Sequence, residues 1–248
     1  SRPTLALDDN AWNAALVRQG DAGPEVPGAR RRERVKALRR LFDLFTGNVT
    51  LRYLDYSLPG PNGLDVKIWR VYNSKILKDR QSGNPSLQAE RRSWVGIGWT
   101  MHMGRVHDYG TTTPIIEFPD GRFETAWPDN YPDVGKNITR DFLRYDRAAY
   151  KLYFQDGTIW TFGAVRTITK GDSSTESVRL VTEIKNTYGQ SIIIAYDSNR
   201  SSIDTITDAC GRVIDFVSTG TTYNNTKLSQ MKVKNATNGE VVYAYTVS

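Results

Sequence analysis

The sequence predicts a mainly β fold: serial antiparallel β-hairpins forming an open sheet, preceded by two short α-helices. Three observations predict it. Runs rich in Val, Ile, Tyr and Thr recur after residue 110, each broken by a short turn whose glycine sits at 121, 157, 189, 211 or 239. Thirteen Tyr, 8 Phe and 6 Trp supply large side chains to a chain of 248 residues that is only 39% apolar. Residues 1–46 read differently from the rest, with Ala- and Arg-rich stretches joined by Gly and Pro.

The first predicted helix runs from Leu5 to Gln19, with Asp8 and Asp9 as candidate caps and Gly20 as the stop. Residues 20–28 (GDAGPEVPG) form a linker. In the second helix Val35, Leu38, Phe42 and Phe45 fall on one face, and the helix ends near Thr46-Gly47. Its basic residues, Arg30, Arg31, Arg32, Arg34, Lys36, Arg39 and Arg40, are a candidate surface for an anionic partner; the alternative is a solvated face on a docked helix.

From Gly47 onward strand and turn signals dominate. Val49–Leu58 and Leu64–Asn73 flank a Pro/Gly loop and predict a hairpin. Residues 74–92 read as a polar loop. Trp94 to Arg105 carries Gly96, Gly98 and Gly104, which suggests a bent strand with close backbone approach. Five hairpins follow: 115–124, 150–162, 180–196, 203–216 and 228–245, their turn glycines separated by 36, 32, 22 and 28 residues. This is a loose repeat with variable connections. The glycine supplies the positive φ that hairpin turns need, and Asp-Gly and Asn-Gly are the favoured dipeptides. Ile192, Ile194 and Tyr196 share one strand face, but Ile193 and Ala195 opposite them are also apolar, which predicts cover on both sides or an enclosed interior.

Composition removes several function classes. The formal charge of +6 is supplied in full by residues 29–41, with seven basic residues against Glu33, so the remainder is formally neutral. Nucleic-acid binding across the body is not expected. Cys210 is the only cysteine and has no internal disulfide partner. No run approaches the ~20 apolar residues of a membrane-spanning helix, and Ser1-Arg2-Pro3-Thr4 do not begin a signal peptide.

Candidate sites are sparse. His102 and His107 are five residues apart, which on a continuous strand sends them to opposite faces and argues against a shared site. Asp129, Asp133 and Asp141, with Trp127 and Tyr131, are the best carboxylate group for glycoside hydrolysis, though Asp is also a common turn residue. Trp69, Trp94, Trp99, Trp127 and Trp160 suit a sugar-binding platform, though such residues more often fill sheet faces and cross-strand pairs. Asn-x-Ser/Thr sequons begin at Asn48, Asn137, Asn199, Asn224 and Asn235. No cofactor or metal site and no catalytic constellation is read.

An ordered series of motifs resembles a known family. Gly47-Asn48-Val49-Thr50-Leu51, Asp55-Tyr56-Ser57-Leu58-Pro59-Gly60 and Arg70-Val71-Tyr72-Asn73-Ser74 come first. Gly96-Ile97-Gly98-Trp99-Thr100, Pro119-Asp120-Gly121-Arg122 and Asp156-Gly157-Thr158 with Trp160-Thr161-Phe162-Gly163 follow. Together they resemble the N-terminal part of the shell of Rhs/YD-repeat (wall-associated-protein-like) bacterial toxins, over about residues 47–248. The hairpins of residues 180–248 look like YD repeats, although only Tyr196-Asp197 is a literal Tyr-Asp pair.

The resemblance implies a curved section of a hollow β shell with no active site, which encloses a C-terminal toxin polypeptide until a bacterial secretion system delivers it. Implied partners are the remaining shell, in the same protein or a cleaved fragment, the enclosed toxin, and a secretion-machinery spike. The autoproteolytic core and the toxin of that family have no counterpart here. Val241, Val242, Tyr243, Ala244 and Tyr245 form a strongly β-forming run with no Pro or charge to blunt it, so they are candidates for pairing with a following strand. A carbohydrate-binding or adhesion module is the alternative function, and a glycosidase-like enzyme the next.

Overall fold

The structure is a computed structural model that describes residues 39–43, 48–74, 93–96, 98–129, 136–169, 175–198, 202–220, 226–237 and 241–246. The chain divides into two units, residues 1–34 and 35–248, and the described residues all belong to the second. The first predicted helix, the linker and residues 75–92 therefore lie outside the described residues.

Described residues fold almost wholly as antiparallel strands, with one short 3-10 turn, Pro61–Gly63, and no α-helix. A four-stranded sheet is built from β1 (Arg39–Asp43), β2 (Asn48–Leu58), β3 (Val66–Asn73) and β4 (Trp99–Thr100), in that spatial order. The second helix is corrected here: Arg39 and Arg40 lie in β1, where Arg39 pairs with Arg52 and Asp43 with Asn48. Backbone pairing decides the matter. A strand laid along β2 satisfies the N–H and C=O groups of an otherwise open sheet edge, and this outweighs a local helical periodicity. Arg30, Arg31, Arg32, Arg34 and Lys36 lie outside the described residues.

The predicted 49–73 hairpin is present as β2–β3, with Leu58 opposite Val66 and Thr50 opposite Asn73. A register shift between Leu54 and Tyr56 marks a bulge. Across this hairpin Arg70 grips Asp55 at both carboxylate oxygens, 2.9 and 2.7 Å away. Two of the sequence motifs are thereby joined by one bidentate ion pair.

The larger sheet contains fourteen strands among the described residues. Eleven run in unbroken chain order: β8 (Trp127–Asp129), β9 (Lys136–Ile138), β10 (Arg144–Asp146), β11 (Lys151–Tyr153), β12 (Ile159–Thr169), β13 (Thr175–Lys185), β14 (Ser191–Tyr196), β15 (Ile203–Thr207), β16 (Val213–Thr219), β17 (Lys227–Lys234) and β18 (Val241–Thr246). An arm of three further strands, β5 (Arg105–His107), β6 (Ile115–Glu117) and β7 (Phe123–Thr125), joins this series at β13. β14 takes the Glu183–Lys185 part of β13, whereas β5 pairs with Arg179 and Leu180.

All five predicted hairpins of the second half are present, and four of their turns share one hydrogen-bond pattern. In the first, Gly121 N–H donates to Phe118 O and Phe118 N–H to Arg122 O; Gly157, Gly189 and Gly211 repeat it with Phe154, Asn186 and Asp208. These are three-residue loops, a type I turn closed by a residue in the left-handed region, rather than two-residue turns. The four glycines have φ between 78 and 81°. β9–β10 closes in the same way with Phe142 in the glycine's place, at φ 58°.

The core is continuous between the two sheets. Leu58, Leu64, Val66 and Ile68 share one buried cluster with Ile184, Ile192, Ile206, Ile214 and Met231. Phe118, Phe154 and Trp160 stack within it at centroid distances of 4.9 to 6.5 Å. On β14 the alternation is clean: Ile192 and Ile194 are buried while Ile193 and Ala195 are exposed. Of the two expectations for this strand, cover on both faces is corrected, and an enclosed interior beside the exposed face is not. Ile193 and Ala195 on its other face are exposed, as isolated apolar side chains can be.

Candidate functional site

The most chemically distinctive feature among the described residues is a cluster of charged and titratable side chains buried where the arm meets β13. The local fold builds it from three directions. Arg105 and His107 alternate onto one face of β5, and β6 places Glu117 directly opposite Arg105. β13 contributes Glu176. Gly104, at φ 123°, turns the chain so that His102 enters from the side. A Cβ at Gly104 would lie 2.6 Å from Trp160 Cζ3, so the bend also needs a residue without a side chain.

Glu117 is the hub. Its Oε2 accepts from Arg105 Nε and lies 2.8 Å from His107 Nε2, while its Oε1 lies 3.2 Å from His102 Nε2. The other nitrogen of His107, Nδ1, is 3.1 Å from Glu176 Oε1. The other nitrogen of His102, Nδ1, accepts the Gly104 N–H at 3.1 Å. Two tautomeric states follow. His102 is neutral, because Nδ1 serves as an acceptor and Nε2 carries the proton toward Glu117. His107 faces a carboxylate at each nitrogen, which suits the doubly protonated imidazolium.

Electrostatics agree with the geometry. Burial lowers the pKa of His102, and the pull of Glu117 offsets this only in part. Burial opposes the charged ring of His107 too, but its hydrogen bonds to Glu117 and Glu176 outweigh that and raise its pKa. For Glu117 burial opposes ionisation, yet Arg105 and then His102 hold its carboxyl well below the usual range. Burial also pushes up the phenols of Tyr145 and Tyr196; the latter donates to Val181 O at 2.7 Å.

The expectation that His102 and His107 face apart is therefore corrected. Odd spacing separates side chains only on a continuous strand, and the chain before β5 is bent at Gly104. The cluster was missed because its acids, Glu117 and Glu176, lie in strands whose neighbours are apolar or polar alike. The usable signal was the spacing of Arg105 and His107, two residues apart and so on one face of a strand that continues past Arg105.

The side chains of the cluster hold one another. Every group named has a partner within the cluster, and no group of three or more His, Cys, Asp or Glu among the described residues is arranged to hold a metal ion. The adjoining pocket, lined by His102, Arg105, Arg166, Trp94 and Tyr196, offers about 20 Å³. That accommodates a single water-sized group, not a sugar ring.

The remaining candidates are dispersed. Asp141 is exposed and paired with Arg122, the side chain of Asp129 lies outside the described side chains, and Asp133 and Tyr131 lie outside the described residues. Trp94 and Trp160 are buried, Trp69 and Trp99 half-buried, and Trp127 is 61% exposed. Asn137 is buried, its amide donating to Thr112 O and Ala126 O, so that sequon is not an accessible acceptor. Val241 to Tyr245 lie in β18, which pairs with β17 and ends the sheet order among the described strands. No helix among the described residues is long and apolar enough to cross a membrane. No protein-family model and no curated protein matches the chain.

Proposed function

We propose that this chain is a structural section of an Rhs/YD-repeat-type toxin shell, whose hairpins wall off a C-terminal toxin polypeptide before delivery from a bacterial cell. The observation that carries this reading is the run from β8 to β18. Eleven strands follow chain order in one sheet, and four of the hairpin turns that join them reuse one geometry. A sheet assembled by adding hairpins in sequence is extended by adding more, as an enclosing wall requires. Among the motifs of the resemblance, Gly121 and Gly157 occupy turns of this shared geometry, and the motifs of residues 55–60 and 70–74 are joined in the smaller sheet by the ion pair of Asp55 with Arg70.

In this reading the chain performs no chemistry. The remaining shell and the enclosed polypeptide are its partners, β18 is the edge for the former, and delivery by a secretion system is its destination. The experiment is limited proteolysis of the full-length parent protein. Deleting residues 47–248 is expected to expose the C-terminal polypeptide to trypsin; undiminished protection overturns the proposal.

A further inference from the structure

We propose that the imidazolium of His107 latches the β5–β6–β7 arm onto β13, and that the latch loosens when this ring gives up its proton. The inference does not depend on the shell reading. It begins with the backbone pairing at the junction, which is short, although Val106, Ile116 and Phe118 of the arm also pack into the core. β5 pairs with β13 over only two residue pairs, Val106 with Arg179 and Arg105 with Leu180, supplemented by the Val181 N–H donating to Gly104 O. The ion pair of Arg105 with Glu117 lies within the arm and survives separation from β13. His107 is different: it holds Glu117 of its own arm through Nε2 and Glu176 of β13 through Nδ1.

Only the doubly protonated ring donates on both sides. A neutral ring keeps one N–H, so one carboxylate then faces a lone pair at about 3 Å in a buried site. Charge makes the same point. Protonated, the ring sets a positive charge between the two glutamates, and that charge is lost with the proton. The groups facing the ring are Arg105 on its own strand, His102 before it, Glu117 from β6, the Phe123 ring from β7 at 6.0 Å, and Glu176 from β13, while Arg166 of β12 lines the adjoining pocket. Arg105 opposes the charged ring, and the two glutamates outweigh it. Because His102 is committed to Gly104 and Glu117, it offers Glu176 no replacement donor.

The test is amide hydrogen exchange of the intact chain across neutral to alkaline pH, corrected for the intrinsic pH dependence of exchange. Protection at residues 104–107 and 179–181 is expected to fall by about tenfold for each unit that pH rises between the unfolded and folded pKa values of His107. The core strands β15–β16 are expected to stay flat. In His107→Gln, whose amide does not titrate, the pH dependence at the junction is expected to vanish. Parallel loss in the native chain and the variant overturns the proposal, as does constant protection in the native chain. If the variant does not fold, NMR titration of the His107 ring in the native chain decides: its midpoint must lie above about 6.5 and coincide with the loss of protection, and a separation of the two overturns the latch.

Discussion

Phe142 occupies, in the turn between β9 and β10, the backbone position that Gly121 occupies between β6 and β7. Both N–H groups donate to the carbonyl three residues back, Thr139 and Phe118, and both residues have positive φ, 58° and 78°. A phenylalanine there crowds its Cβ against the backbone, at about 1–2 kcal/mol relative to glycine. Its ring recovers little by burial, since Phe142 is 74% exposed. Phe142→Gly is therefore expected to stabilise the chain by about 0.5–1 kcal/mol, after allowing for the greater freedom of glycine in the unfolded state. Urea denaturation midpoints of the two proteins check this.

The bend at Gly104 carries the opposite prediction. Gly104→Ala introduces a methyl group 2.6 Å from Trp160 Cζ3 and 2.9 Å from Val181 Cγ2, at a φ of 123° that disfavours any side chain. Strain and overpacking add, and a loss of about 2–4 kcal/mol is expected by chemical denaturation. Quenching or shift of Trp160 fluorescence should accompany it, because that indole must move.

Two aspartates in equivalent turns separate a buried cap from an exposed one. Asp208 accepts the N–H groups of Cys210 and Arg212 on Oδ1 and holds Arg212 Nε on Oδ2 at 2.7 Å. Arg212 in turn donates to Pro59 O in the loop after β2. Asp156 accepts only the Thr158 N–H and is exposed. Asp208→Ala is expected to cost about 2 kcal/mol and Asp156→Ala about 0.5–1 kcal/mol. Equal losses in thermal melts would show that the link to Pro59 contributes nothing.

These turns also mark how far the sequence reaches. Where glycine and period-2 alternation coincide, as at 150–162 and 180–196, strands are found where the pattern places them. The β8–β9–β10 meander escaped notice because its strands have three residues each and Phe142 disguises a glycine-type turn. β1 was misread because Val35, Leu38, Phe42 and Phe45 keep helical spacing, whereas the edge of β2, a distant partner, decides the conformation of Arg39–Asp43. The spacing of Arg105 and His107 is legible in the sequence, but the rest of the buried cluster needs tertiary information. The register of β5 with β6 sets Glu117 opposite Arg105, and Glu176 comes from β13, far along the chain.

The same cluster sets the acid limit of stability, in two steps. His102 has a folded pKa below its ordinary 6.5, so in the interval between the two values the unfolded chain binds the extra proton. Stability then rises with pH, and conversely falls as pH drops below about 6.5. Glu117 has a folded pKa well below 4.5, so its contribution is complete above that value and lost as pH falls toward the folded one. Urea midpoints measured from about pH 7 down to about pH 4 are expected to show a first decline from His102 and a steeper one where carboxylates titrate. His102→Gln, which keeps a donor toward Glu117 but does not titrate, is expected to remove the first decline and leave the second. Retention of both in the variant would assign the first decline elsewhere than His102.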